Sequence, residues 1–451
     1  MRIAQIVQIV FFILFLCAGI VMNTVHGDHE SISETENRAL AALPRWSSEA
    51  FWSGAFLRGL ENYLADHVAY RDSLVRVSNL LSSWRGLPGR GDAFIVASQA
   101  DNTADSVGRP AEKQMGPQPT TSLSPTTSPS TAAQTAVAKP VQKQKSGETE
   151  PGRVIGKVLI VGNRAMYLYS YVPAAGMAFA DTVNAFRAEL TQRYGQQVHL
   201  SVLLAPSAVE FVENPQLKSL SSSQEQAIMS VYEQIDEAVT KVNATPYLRE
   251  HAAEELFFRT DHHWTATGAY YAYQAFMEAR GIPPVPLTQY KTQKVNGFLG
   301  SLYASTLNKK LEAHPDTILL YQPFIAHQYQ VYYSGPLKMK LLDMNHANRK
   351  NKYRIFLSGD RPWGKIATQV NNNRRIAVIK DSYGNAFIPF LLPHFQEIYI
   401  IDPRQFDKPL YSFIEDHQIN EVLILANTTI TTYSGFTDLI RKRMQAAPEE
   451  K

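Results

Sequence analysis

From about residue 155 onward, apolar positions along this chain alternate between two rhythms. Short, almost unbroken apolar runs at Lys157–Val161, Val198–Leu204, Ile376–Ile379, Glu397–Ile401 and Glu421–Leu425 predict strands buried on both faces. Between them lie longer stretches with apolar residues at helical spacing. These predict helices over Ala178–Tyr194, Ser222–Val242 (Ile228, Val231, Ile235 and Val239 on one face), Ala266–Arg280, Ala386–Leu392 and Phe406–His417. Gly195 stops the first of these, and Gly281 followed by Pro283 and Pro284 stops the third. Ala165–Tyr171 reads as an aromatic-rich extended piece, and Lys291–Val370 as loops with an antiparallel patch. Strands alternating with helices imply an α/β fold, a mostly parallel sheet with helices on both faces. Ligands of such sheets sit beyond the carboxyl ends of the strands.

The pattern before residue 155 is different. An apolar run fills residues 1–25 behind Arg2, long enough for the roughly 20 residues a transmembrane helix needs. Arg2 assigns the amino terminus to the inside, and Asp28, Glu30, Glu34 and Glu36 assign the chain beyond the run to the outside. The alternative is a signal peptide, but Val25-His26-Gly27 is a poor processing site. Either way the remainder is expected to be extracellular. Residues 26–97 read as a membrane-proximal helical segment packing on the main domain. Phe56, Leu57, Leu60, Tyr63 and Leu64 recur at helical spacing, and Asp66, Arg71 and Asp72 mark a break. Residues 98–154 are rich in Ser, Thr, Pro, Ala, Gln and Lys; such a composition cannot bury enough apolar area to offset its ordering entropy, so it predicts a disordered insertion. The α/β domain is then 155–446.

Composition removes some classes of function. A net charge of +3, with 19% charged residues and no basic run interleaved with aromatics, gives no nucleic-acid footprint. The single cysteine, Cys17, lies in the apolar N-terminal run, so the folded part has neither a disulfide nor a cysteine metal site.

Two stretches carry candidate chemistry. Asp261, His262 and His263 lie on the turn between an extended segment, Glu254–Phe258, and the helix from Ala266, with Thr265 or Thr267 as N-cap. In an extended turn residues two apart point the same way, so Asp261 can fix the tautomer of His263 and leave its other nitrogen facing a cleft. The bland alternative is a helix cap with two polar turn histidines. The strand Ile376–Ile379 runs through Lys380 into Asp381-Ser382 and a helix follows at once, which puts the Ser382 hydroxyl at the carboxyl edge of the sheet. There it is either a nucleophile, with the N–H groups of Ser382 and Tyr383 aimed at an oxyanion, or an ordinary N-cap. A zinc site on Asp261, His262 and His263 is a further alternative, but no H-x-x-x-H pair or cysteine set accompanies it.

Thr260–Thr265, Glu36–Leu40 with Pro44, Tyr353–Gly359, Ile379–Asn385 and Ile401–Arg404 together resemble the DHHW protein family. That family is similar to alginate O-acetylation proteins of the AlgX and AlgJ type, with SGNH-hydrolase-like catalytic domains. The resemblance covers everything but the insertion. It implies Asp261 as orienter, His263 as base and Ser382 as nucleophile, with His262 in substrate contact or turn packing and no metal or cofactor. No Gly-Asn-x-His block is readable, so Asn385, Asn427 and Gly359 stand as oxyanion or substrate candidates beside Tyr383. The implied function is a membrane-anchored extracellular O-acyltransferase or esterase acting on O-acetyl groups of a cell-envelope polysaccharide. A multi-pass membrane acyltransferase is an expected partner. The alternative is a cell-envelope scaffold with a vestigial triad. Triad residues do not separate transfer from hydrolysis, because both pass through the acyl-enzyme.

Overall fold

Alternate residues of the central strands face two different cores. Ile376, Val378, Ile398, Ile400, Leu423 and Leu425 are buried in one. Ala377, Ile379, Tyr399, Ile401, Val422 and Ile424 are buried in the other. A strand's period of two with both faces covered is what an unbroken apolar run encodes. The computed structural model describes residues 151–446 except 334, parts of 32–67, and Phe94–Val96.

The central sheet has eight strands: β1 (His199–Ala205), β2 (Thr240–Val242), β3 (His327–Tyr332), β4 (Pro336–Met339), β5 (Trp363–Thr368), β6 (Arg375–Lys380), β7 (Glu397–Ile401) and β8 (Glu421–Asn427). Their spatial order is β4-β3-β5-β7-β6-β8-β1-β2. The five strands from β7 to β2 run parallel, with Ile376 beside Ile398 and Glu421, and Val202 beside Ile424 and Lys241. β5, β3 and β4 continue the sheet antiparallel. The sheet is therefore mixed, with its parallel half holding the apolar runs.

Helices α1 (Pro173–Tyr194), α2 (Gln224–Tyr232), α3 (Ala266–Ala279), α4 (Gly384–Phe387), α5 (Leu410–Asp416) and α6 (Gly435–Gln445) cover it. Phe179, Val183, Phe186 and Leu190 of α1 pack in one core with Ile228 of α2, Phe413 of α5 and Ile440 of α6. α3 and α4 fill the other, together with a hairpin of Lys291–Phe298 and Asp316–Gln322.

Several boundaries differ from the sequence expectation; α1, for one, starts at Pro173 rather than Ala178. The helix expected over Ser222–Val242 ends at Tyr232: Asn184 binds the Gln234 carbonyl and the Asp236 N–H, and Thr240–Val242 leaves to pair with β1. Ile235 and Val239 are still buried, so the periodicity found the right face but the wrong element. The helix expected at Ala386 starts at Gly384 and tightens into a 3-10 turn at Ile388–Leu391, where Pro389 has no N–H to give. The helix expected from Phe406 starts after Pro409. Finally, Gly152–Ile155 is a strand rather than the end of an insertion. It pairs with Phe94–Val96 in a four-stranded antiparallel sheet completed by Val158–Val161 and Arg164–Tyr167.

Within the N-terminal segment a described helix spans Ala55–Asp66 and ends at the first of the charged residues that predict a break. The expected anchor over 1–25 and residues 98–150 of the expected insertion lie outside the described residues. Among the described residues no helix is long and apolar enough to cross a membrane.

Candidate active site

Ser382 lies two residues past the last residue of β6, at the carboxyl edge of the sheet, and is half-buried. Asp261 and His263 come from the chain that leaves β2 and returns to α3. Within it Phe257 bridges Trp264, Phe258 N–H donates to the His263 carbonyl (3.2 Å), and Thr265 N–H donates to the Leu256 carbonyl (2.8 Å). Thr265 then caps α3 by accepting from the Gly268 N–H. The tip of this loop is organised by Asp316 of the hairpin, whose carboxylate accepts from the Arg259 N–H (2.9 Å), the Thr260 N–H (2.8 Å) and the Thr260 hydroxyl (2.5 Å).

These elements bring the three expected residues into one hydrogen-bonded line. His263 Nδ1 lies 2.5 Å from Asp261 Oδ1, and His263 Nε2 lies 2.7 Å from Ser382 Oγ. Asp261 and His263 are buried. Asp261 Oδ1 also accepts from the His263 N–H (3.0 Å), while Oδ2 accepts from the Ser301 N–H (2.8 Å) and Ser301 Oγ (3.0 Å). Burial works against charge on Asp261, but the adjacent imidazoles of His263 and His262 and these hydrogen bonds hold its carboxyl well below the usual range. A carboxylate fixed on Nδ1 leaves Nε2 as the base toward the serine.

Three aromatic side chains join the acid–base loop to the serine turn. Trp264 Nε1 donates to the Tyr383 carbonyl (2.9 Å), the Tyr383 hydroxyl to the His262 carbonyl (2.6 Å), and the Tyr353 hydroxyl to the Ser382 carbonyl (3.0 Å). The Tyr353 ring also lies parallel to the His263 imidazole, 3.8 Å between centroids and 8° between planes.

The expected oxyanion donors are arranged otherwise. Tyr383 N–H donates to Asp381 Oδ1 (2.9 Å), so it is not aimed at a substrate. Asn427 donates its amide to the Ala205 carbonyl (3.1 Å) and caps Thr429 with its oxygen. Gly359 N–H closes a turn onto the Phe356 carbonyl (3.0 Å). Asn385 is buried, accepting from Lys380 Nζ (2.6 Å) and donating to Asp360 Oδ1 (2.9 Å). The backbone N–H groups of Tyr383 and Gly359 are thus taken within the protein, and each of the two asparagine amides already gives one hydrogen bond there. Among the described residues the Ser382 N–H has no protein acceptor, which leaves it as the backbone donor at the nucleophile.

The Asn385 contacts belong to an ionic network beneath the serine turn. Fully buried Lys380 reaches Asp360 Oδ1 (2.6 Å), and Arg404 binds both Asp360 (2.9 Å) and Asp402 (2.5 Å). Although burial opposes it, the Lys380 and Arg404 cations hold the Asp360 carboxyl well below its ordinary value. Asp381, half-buried beside the nucleophile, is pushed up by desolvation despite its bonds from the Asn427 and Tyr383 N–H groups. The sequence hinted at this network: an apolar strand ending in a lysine must give that cation a partner.

His262 is half-buried, with its Nδ1 2.7 Å from Ser301 Oγ and its ring 3.8 Å from that of His263. Burial first, then the neighbouring His263, pulls its pKa down to about 4, against the opposing pull of Asp261. Donor atoms of Asp261, His262 and His263 lie within 4.8 Å of one another, as a metal site would require. Both Asp261 oxygens and both His263 ring nitrogens are, however, already in hydrogen bonds within the protein. Ser301 and its neighbour Gly300 were missed by sequence reasoning. Their only signal is a glycine before a serine at the start of a short helix, Ser301–Thr306.

Comparison with known proteins agrees with this architecture. A DHHW family protein from Eubacterium siraeum superimposes with a TM-score of 0.59 at 28% identity, covering 66% of this chain and 98% of that one. Bacillus cereus PatB1 with a sulfonyl adduct gives 0.52 at 18% identity, covering 63% and 96%. The O-acetyltransferase domain of Pseudomonas putida AlgJ, 14% identical and covering 63% and 96%, superimposes only loosely, at 0.35. No protein of curated function matches the chain. The family description DHHW protein matches residues 135–401, more than half of the sequence. The chain belongs to the DHHW protein family.

Proposed function

We propose that this chain is a serine-dependent O-acyltransferase or esterase acting on O-acetyl groups of a cell-envelope polysaccharide. The observation that carries the reading is the line Asp261–His263–Ser382, with 2.7 Å between the imidazole and the hydroxyl. Ser382 Oγ attacks the acyl carbonyl while His263 Nε2 takes its proton. The Ser382 N–H, without a protein acceptor among the described residues, is the backbone donor offered to the oxygen that becomes negative. Collapse of the tetrahedral intermediate breaks the ester bond, and His263 returns the proton to the leaving alcohol. A second hydroxyl, from a sugar or from water, then attacks the acyl-enzyme while His263 accepts its proton; the acyl–Oγ bond breaks and His263 passes that proton to Ser382 Oγ. Transfer and hydrolysis differ only in that last nucleophile. The acetyl assignment draws on the resemblance of the motifs to alginate O-acetylation proteins.

The same proposal has the chain held at the outer face of the membrane by residues 1–25, beside a multi-pass acyltransferase that supplies the acyl group. Carbonate extraction of membranes tests the anchor: a soluble form beginning near Asp28 contradicts it.

The chemistry is tested on the full chain with O-acetylated envelope polymer, with and without an acyl donor, and with a sulfonyl fluoride probe. Wild type takes the probe at Ser382. Ser382→Ala and His263→Ala each lose several powers of ten in turnover, and the double variant is little worse than either, because the groups act as a unit. If wild type takes no label and neither transfers nor releases acetate, the scaffold reading replaces this one.

A further inference from the structure

The hydrogen bonds around Asp261 settle the state of a residue that the triad does not use. Ionised Asp261 can only accept, and both its oxygens are occupied: Oδ1 by His263, Oδ2 by the N–H and hydroxyl of Ser301. The one hydroxyl proton of Ser301 is therefore spent on Asp261. His262 Nδ1 sits 2.7 Å from that same oxygen, so it must be the donor. A neutral imidazole that carries its proton on Nδ1 has a lone pair on Nε2. Among the described residues nothing bonds to this Nε2, and the side chain is 29% exposed. The residue is also held in place: its carbonyl accepts from Tyr383, and its ring lies against the His263 ring, with the Tyr167 ring 6.1 Å away. His263 in turn meets the nucleophile, so a group bound at His262 is a near neighbour of the ester under attack.

We propose that Ser301 fixes His262 as the Nδ1–H tautomer, so that its Nε2 accepts a hydrogen bond from the substrate hydroxyl adjacent to the acylated oxygen. This rests on the ester-cleaving reading above and adds to it a residue that selects vicinal hydroxyls, as found on sugars. Asp261, His263, Asp360 and Arg404 are the charged or titratable groups that act on this imidazole. Its depressed pKa agrees with a neutral acceptor at pH 7.

The test has two arms, both on the full chain. With ¹⁵N-labelled histidine, long-range nitrogen–proton NMR spectra give the tautomer directly. His262 is expected as Nδ1–H in wild type and to lose that preference in Ser301→Ala; an Nε2–H signal in wild type overturns the proposal. In the second arm, turnover of an O-acetylated methyl hexopyranoside is compared with that of its analogue lacking the hydroxyl next to the ester. One hydrogen bond corresponds to a preference of about tenfold. The preference should fall to about one in His262→Phe, which keeps the ring, and return in part in His262→Gln, which restores an acceptor. Failure of the parent reading is separable: wild type then neither takes the sulfonyl probe at Ser382 nor cleaves p-nitrophenyl acetate, and both proposals fall. Labelling and cleavage with an unchanged preference in His262→Phe overturn this inference alone.

Discussion

One methyl group placed at Gly300 tests the packing that orients the catalytic acid. Gly300 has φ −89°, which any residue adopts, so glycine is required there for space rather than for backbone freedom. A Cβ at this position would lie 2.7 Å from Asp261 Cγ, and nearer still to Asp261 Cβ and Oδ2. Carbon atoms in contact sit about 3.5–4.0 Å apart, so Asp261 or the start of helix Ser301–Thr306 must move by about 1 Å. Overpacking of this kind costs about 1–3 kcal/mol. The movement also breaks one of the two Ser301 hydrogen bonds to the charged carboxylate, worth about 1.5–3 kcal/mol. Gly300→Ala should therefore lose about 3–5 kcal/mol of stability in urea unfolding and, because an acid misplaced by about 1 Å misdirects the base, about 100-fold in turnover. Gly281→Ala is the control: φ is +65° and a Cβ meets nothing within 4 Å, so it costs about 1–2 kcal/mol of backbone strain and leaves turnover alone. A Gly300→Ala protein with wild-type stability and rate would refute the close approach of this helix to Asp261.

Tyr353→Phe keeps the ring on His263 and drops one bond to the Ser382 carbonyl, so turnover should fall only several-fold; Tyr353→Leu frees the imidazole and should fall much further, and equal losses in the two would show that the stacking does nothing. Asp261→Asn should retain the fold by circular dichroism yet lose about 10⁴-fold in turnover, since an amide favours the wrong tautomer of His263. Lys380→Met breaks a buried pair and should cost about 3–5 kcal/mol at pH 7. The Asp360 carboxyl is held low by that cation, so the pair's contribution is present above the ordinary carboxylate pKa of about 4 and drains as the pH falls below it. The stability gap between Lys380→Met and wild type should narrow from pH 7 to pH 3, and a constant gap in urea midpoints would contradict the pairing.

Short-range periodicity was enough to locate the central strands. Glu397–Ile401 emerges with the expected limits, and the strands at β1, β6 and β8 within one or two residues, because a strand buried on both faces must be apolar throughout. Asp261 and His263 were readable as a pair because two residues apart in an extended turn share one side. Ser382 was readable from its place on the turn between a buried strand and a helix. That His263 meets Ser382 across 119 residues of sequence is decided in three dimensions. So is the supply of a second set of donors to Asp261 by Ser301, 40 residues away, where Gly300 leaves the space for the approach. The surroundings of the oxyanion candidates are likewise set by distant residues. Asn427 donates to Ala205, 222 residues away, and Asn385 to Asp360. Every buried polar group must find a partner, and the partner is chosen by the fold's geometry in space, which no local pattern of residue types records.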